Sequence, residues 1–448
     1  MQHKRFGMIA LVVFSTYLCG QERVIDSLLN KKFRQSEPGA VLLAQQNGKR
    51  SYLKAFGMAN LELSIPMKTD MVFEIGSMTK QFTAVAILQL CEQNKLSLTD
   101  ALSKYLGAFP NANEITLHHL LNHTSGIQDP PFPEWIAFYK DVSFDPLPFI
   151  NKLRSNTPQN KPGEKWEYSN SGYFILGYII EQVSGMKYDQ FIQKNIFDAA
   201  GMKNSSCQVG IIHELVKNRA SGYSKDQNIY NAEYSGWVQP YAAGCILSTA
   251  EDLSRWNAAI HSDKLLKPEN QKKLFENYKL NNGTHTGYGY GFLIREINGI
   301  PSYEHGGGIP GYSCYALYLP SNDLYVVALS NCKQMDPANE VAMTAMLLSG
   351  KPFSNKKPLV VNKNDLQKFV GTYNQSGTGS SIEITSSDSC LFVQRKGKST
   401  LTKLVPYAEG KFYVENEFTT YEFRLNKENQ TMELVHRTRF RENILLRQ

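Results

Sequence analysis

The stretch from Lys80 to Leu90 most constrains how this chain can fold. Phe82, Ala84, Val85, Ala86, Ile87, Leu88 and Leu90 make it apolar on most sides at helical spacing. Such a helix belongs in the middle of a domain, with other elements packed around it. The 448-residue chain has the material to do this, and its length predicts two or three domains. A hydrophobic share of 42% against 20% charged residues is that of a globular protein whose core does not depend on disulfides. The net charge of +7 is spread along the chain rather than gathered into a basic stripe. That argues against nucleic acid as a partner.

The first twenty residues differ from the rest. Lys4 and Arg5 precede an apolar run from Met8 to Leu18, followed by Cys19, Gly20 and Gln21. This reads as an export signal (residues 1–20) cut after Gly20. The run is too short to span a bilayer, which needs about 20 residues. The expectation is a periplasmic or secreted protein with no transmembrane segment after signal removal. A lipid anchor at Cys19 fits less well, because Leu18 stands where a small residue is usual. The six other cysteines show no CxxC pair and no metal-type spacing, and their pairing is not readable.

Ala40–Ala44 and Ser51–Phe56 flank Asn47-Gly48 and predict a β-hairpin. A helix is expected from about Ser171 to Ser184, ended by Gly185. Tyr288–Arg295, Ser313–Leu319 and Leu324–Leu329 have strand composition, with a turn at Pro320–Asp323. A helix from about Asn339 to Leu348 follows. Strands at both ends with helices between predict an α+β domain over residues 21–350, its terminal strands sharing one antiparallel sheet. After Gly350 the composition changes, and residues 351–360 read as a linker. Eight short β-rich runs between Phe369 and Leu446 then predict a small all-β barrel or sandwich over 361–448.

Ser77-x-x-Lys80 carries the first chemical signal. The same spacing recurs at Ser51-Lys54, Ser184-Lys187, Ser330-Lys333 and Ser354-Lys357. Only Ser77 follows an extended segment (Val72–Ile75) and a glycine at the opening of a long apolar helix. One helical turn places Ser77 and Lys80 on the same side. Burial lowers a lysine pKa, so a neutral amine can take the serine proton. The bland alternative is a helix-capping serine.

Tyr168-Ser169-Asn170, the only Tyr-x-Asn in the chain, supplies a second element. Residues two apart on an extended loop point the same way. A phenol beside an ammonium is expected to have a depressed pKa and to act as a base, while the Asn amide can hold a carbonyl. The alternatives are an N-cap for Asn170 and packing for Tyr168. The third element is Glu304-His305-Gly306-Gly307-Gly308 at a strand edge. There the glycines let a substrate lie against the strand and meet its N–H groups, one half of an oxyanion hole whose other half is the Ser77 N–H. His285-Thr286-Gly287 is similar by letter, but it sits in a turn before its strand. His118, His119 and His123 invite a metal reading; no Glu lies between the last two to serve as a metalloprotease base, and neither a metal nor another cofactor is expected. The aromatic loop from Phe132 to Phe149, with Trp135, Phe138 and Tyr139, is a candidate pocket wall.

Taken in order, Ser77-x-x-Lys80, Tyr168-x-Asn170 and His305-Gly306-Gly307 resemble the β-lactamase and penicillin-binding-protein superfamily. The Tyr-x-Asn form resembles its class C β-lactamase and DD-peptidase branch. Leu121–Ile127, Pro162 to Tyr173, Tyr288–Gly291 and Gly306–Tyr312 resemble it too, so the likeness spans about residues 25 to 350. It implies an antiparallel sheet flanked by helices with an all-α subdomain, and a C-terminal unit like the barrels appended to some of these hydrolases. By the same resemblance Ser77 is the nucleophile, Lys80 its activator and Tyr168 the acid/base. Asn170 orients substrate, and the Ser77 and Gly308 N–H groups form the oxyanion hole.

The departure is His305, where β-lactamases carry Lys. A protonated His could grip a substrate carboxylate, but only partly near neutral pH. The expected function is acyl transfer from a small ester or amide to water, the substrate being a small molecule or a peptide that can contain D-amino acids. The alternatives are a β-lactamase and a non-catalytic binder of peptidoglycan fragments or β-lactams. Oligomeric state is not readable.

Overall fold

A computed structural model describes residues 20–131, 145–155, 158–209, 215–232, 241–351, 356–375, 380–387, 390–397, 401–415, 417–426, 430–439 and 442–448. The expected export signal with Cys19, most of the aromatic loop, and residues 352–355 of the expected linker lie outside them. The chain divides into two compact units, Met1–Ala345 and Met346–Gln448.

The first unit is built on a six-stranded antiparallel sheet. Its strands are β1 (Ala40–Gln46), β2 (Lys49–Phe56), β3 (Leu293–Ile297), β4 (Ile300–Ile309), β5 (Tyr312–Leu319) and β6 (Leu324–Ser330). Their spatial order is β3-β4-β5-β6-β1-β2. Both central residues of the β1–β2 turn have positive φ, 49° at Asn47 and 71° at Gly48. That is the turn whose twist matches a hairpin, and Asn-Gly is the pair that adopts it. β1 and β6 pair from Ala40↔Ser330 to Gln46↔Leu324, so strands far apart in sequence close one sheet. The strand expected over Tyr288–Arg295 is instead Leu293–Ile297; Gly287 and Gly291, with φ of 70° and 77°, keep the segment before it irregular.

The apolar stretch is helix α1 (Thr79–Glu92), in which every residue from Thr79 to Leu88 is buried. Phe82 stacks on Trp256 with ring centroids 3.9 Å apart, and the indole Nε1–H donates to Gln81 Oε1 at 2.9 Å. Helix α2 (Leu117–Leu121) is short, and helix α3 (Asn170–Ser184) packs across α1. Ser169 caps α3 by accepting the Gly172 N–H at 3.1 Å. Gly185, with φ of 71°, ends it in the left-handed conformation. No described helix is long and apolar enough to cross a membrane.

The second unit contains a closed eight-stranded antiparallel barrel running from Gly371–Asn374 to Glu442–Arg447. Tyr373, Ile384, Leu391, Leu404, Phe412, Phe423, Leu434 and Leu445 fill it. Closure leaves no strand edge, which is how a barrel of short strands protects its backbone.

Candidate active site

Ser77 is not in α1 but in a 3-10 turn, Gly76–Met78, immediately before it. Gly76 takes a φ of 49°, in the left-handed region that favours glycine. The turn lies against β4, and the fit depends on Gly307: a Cβ there would come within 1.9 Å of the Ile75 carbonyl oxygen. Up to Glu304 β4 pairs with β3; from there to Ile309 it pairs with β5 alone. The His305–Gly308 edge is thereby turned toward Ser77. A Cβ on Gly308 would meet nothing within 4 Å, so this edge opens onto space a substrate can occupy.

Lys80 is completely buried and all three of its possible bonds are committed. Its Nζ lies 3.1 Å from Ser77 Oγ, 2.8 Å from Asn170 Oδ1 and 2.9 Å from the Ala243 carbonyl oxygen. The last two partners can only accept. A neutral amine therefore places its two N–H bonds on them and leaves its lone pair for the Ser77 hydroxyl. Burial pushes the Lys80 pKa down from 10.5 to about 7, partly offset by the negative charge of Asp129. Near neutral pH a large share of the protein thus carries this lysine as a base.

Tyr168 and Asn170 converge on Lys80. The ammonium lies 4.8 Å from the Tyr168 ring centroid, and the phenol shares a hydrogen bond with Ser77. The expected depression of the Tyr168 pKa is reversed. Although 37% of the residue's surface is exposed, desolvation of the phenol raises its pKa, outweighing the Ser77 bond that lowers it. The negative charge of Asp129 raises it further. Tyr168 is consequently a proton donor near neutral pH.

His305 also departs from expectation. Its Nδ1–H donates to the Gly306 carbonyl at 2.6 Å, leaving Nε2 to accept from the Tyr288 hydroxyl at 2.9 Å. Burial pushes its pKa down to about 3, with the Lys80 charge adding to the effect. The imidazole is neutral and both nitrogens are occupied, so it cannot offer a cation to a substrate carboxylate.

Several contributors escaped the sequence reading. Asp129 accepts the Asn170 N–H and Nδ2–H at 3.0 and 2.8 Å and the Ser171 N–H at 2.7 Å. An Asp three residues beyond Gly126 gives no sequence signal of this. The Ala243 carbonyl is a backbone atom and leaves none at all. Tyr288 stood in a stretch already noted, Tyr288–Gly291, but its bond to His305 depends on tertiary approach. The three histidines have different hydrogen-bond partners, although the His118 and His119 rings lie 5.6 Å apart. His118 Nδ1 meets Tyr290 Oη at 2.6 Å, His119 closes the capping box of α2 with Thr116, and His123 Nδ1 accepts the Ser169 N–H at 3.1 Å. The helix expected to carry His119 and His123 on one face ends at Leu121. His285 lies apart, at the exposed Asn277 carbonyl.

Known proteins resemble this chain over most of its length. The family model described as Beta-lactamase matches residues 22–351. Penicillin-binding protein 4* of Bacillus subtilis (strain 168) is 30% identical over 421 residues, covering 86% of this chain and 90% of that protein. The octameric penicillin-binding protein homologue from Pyrococcus abyssi is similar in structure, with a TM-score of 0.66 and 26% identity, covering 94% of this chain and 99% of that one. The D-amino acid amidase from Ochrobactrum anthropi SV3 shares the fold, with a TM-score of 0.64 and 22% identity over 74% of this chain and 99% of that one. With a Ser-x-x-Lys pair whose lysine is buried, a converging Tyr-x-Asn and a family match over most of its length, this chain belongs to the β-lactamase family, whose members are generally serine hydrolases.

Proposed function

We propose that the protein is an exported serine hydrolase that cleaves small esters or amides without a charged carboxylate beside the scissile bond. Ser77 attacks the carbonyl carbon while its proton passes to neutral Lys80, whose pKa of about 7 suits a base at neutral pH. The N–H groups of Ser77 and Gly308 hold the developing oxyanion. Asn170 orients the substrate amide or ester, and Gly306 and Gly307 let it lie along β4. The Tyr168 phenol, kept protonated, gives its proton to the leaving group and is reprotonated from Lys80. Water then reverses the same steps to release the acyl group.

The observation that carries the substrate choice is His305, neutral and saturated by Tyr288 and Gly306. A β-lactam or a D-Ala-terminated peptide presents a carboxylate, and this side chain returns neither charge nor a free donor to it. An amide of a D-amino acid, the class named for the Ochrobactrum enzyme, has no such carboxylate.

Purified protein and Ser77→Ala are assayed with a nitrophenyl ester, a D-amino acid amide, a chromogenic cephalosporin and a D-Ala-D-Ala peptide. Turnover is expected on the first two and little or none on the others, with about 10³-fold or greater loss in the variant. Unchanged turnover in Ser77→Ala refutes the mechanism. Efficient cephalosporin hydrolysis refutes the substrate assignment and makes the protein a β-lactamase.

A further inference from the structure

We propose that Asp129 is a positioning residue that fixes which end of the Asn170 amide faces Lys80. The inference rests on the reading of Ser77 as nucleophile and Lys80 as its base. An Asn amide can present either its oxygen or its NH2 group, and the two differ by a half-turn of one bond. Asp129 removes the ambiguity. One of its oxygens, Oδ2, accepts both the Asn170 Nδ2–H at 2.8 Å and the Asn170 backbone N–H at 3.0 Å. Its other oxygen, Oδ1, accepts the Ser171 N–H at 2.7 Å and the Ser169 hydroxyl at 3.4 Å. With Nδ2 committed to a group that can only accept, Asn170 Oδ1 is the end left for Lys80, 2.8 Å from Nζ.

The consequence concerns the lysine lone pair. With Asn170 Oδ1 and the Ala243 carbonyl both accepting, two N–H bonds are fixed and the remaining tetrahedral direction is that of Ser77. Were the amide reversed, an N–H would face Lys80, and the lone pair would turn to accept it instead of the Ser77 proton. Asp129 also acts through charge, since its carboxylate raises the Lys80 pKa against the effect of burial. The other titratable groups around Lys80 are Tyr168 and Tyr173, with ring centroids at 4.8 and 5.6 Å, and the imidazoles of His123 and His305. Burial holds the phenols protonated and the imidazoles neutral, so none of these four replaces the Asp129 charge.

Labelling by a fluorescent fluorophosphonate reads this out without a known substrate. The Ser77 Oγ bonds to phosphorus, fluoride leaves, and the hydroxyl proton goes to Lys80. In the full-length wild-type protein the labelling rate is expected to rise with pH through a midpoint set by Lys80. Asp129→Asn cannot accept at every position the carboxylate did. It is expected to label about 10- to 100-fold more slowly, the cost of a misplaced reacting group, with its midpoint moved to lower pH. Asp129→Glu keeps the charge and is expected to recover the midpoint more fully than the rate. Ser169→Ala removes the side-chain cap on Gly172 and the longest Asp129 contact, at 3.4 Å, but leaves both Asn170 bonds to Asp129 Oδ2 and the carboxylate charge; it serves as the control and is expected to lower thermal stability and leave the midpoint in place. A folded Asp129→Asn protein with wild-type rate and midpoint overturns the proposal, as does a Ser169→Ala protein that reproduces the shift. If Asp129→Asn fails to fold, a wild-type rate in Asp129→Glu overturns it. Labelling that persists in Ser77→Ala defeats the underlying assignment instead.

Discussion

Replacing Lys80 with Met should change how the stability of the first unit depends on pH. The folded protein holds Lys80 fully buried with a pKa near 7, whereas in the unfolded chain it returns to its ordinary 10.5. Between those values the unfolded state binds the extra proton, so stability rises as pH rises and the contribution is lost as pH falls toward 7. From about pH 7.5 to about pH 9, at about 1.36 kcal/mol per unit, the gain is about 2 kcal/mol. The window avoids His305 and His118, whose pKa values of about 3 and about 4 confine their effect to more acid conditions. Buried thiols work in the opposite direction, since Cys91, Cys207, Cys314 and Cys332 are all raised. They are common to both proteins and cancel in the difference. All four tryptophans lie within residues 135–256, so tryptophan fluorescence during urea unfolding reports on the first unit and not on the barrel. Wild type should gain about 2 kcal/mol more than Lys80→Met across the window. Two stability curves that stay parallel to within about 0.5 kcal/mol would refute the reasoning, because a linkage term of this size cannot hide at that precision.

Two further outcomes follow from the site geometry. Tyr168→Phe should lower kcat on a nitrophenyl ester by about 10²-fold, within the usual range for a lost proton donor. It should leave the midpoint of the ascending pH limb unmoved, since a raised phenol is not the group titrating there; a shifted midpoint would reassign the base. Gly307→Ala forces a methyl group against the Ile75 carbonyl, a backbone atom that has no rotamer to escape into. It should cost about 1–3 kcal/mol of stability by overpacking and about 10²-fold in activity by moving the strand away from Ser77. Wild-type urea midpoint and kcat in this variant would show that β4 and the serine turn do not need their close approach.

Much of the architecture was determined locally and was therefore legible in the sequence. The Asn47-Gly48 turn, the all-round apolar α1, the Gly185 stop and the eight short β-rich runs of the barrel each follow from backbone preference or composition over a few residues. The three motifs could be ordered for the same reason, since each sits at a local signal: a glycine before a buried helix, the residues leading into a capped helix, and a glycine-rich strand. Protonation states could not be read this way. Whether Lys80 is a base, Tyr168 an acid or His305 a cation depends on desolvation and on partners supplied by segments distant in the chain. Asp129, Ala243 and Tyr288 lie 49, 163 and 17 residues from the groups they contact or influence. The sequence could place a lysine beside a serine, but burial, offset in part by the Asp129 charge, set its proton affinity. It could place a histidine where a lysine is usual in the family; only the fold, by burying that ring and closing Tyr288 and the Gly306 carbonyl on it, made it neutral.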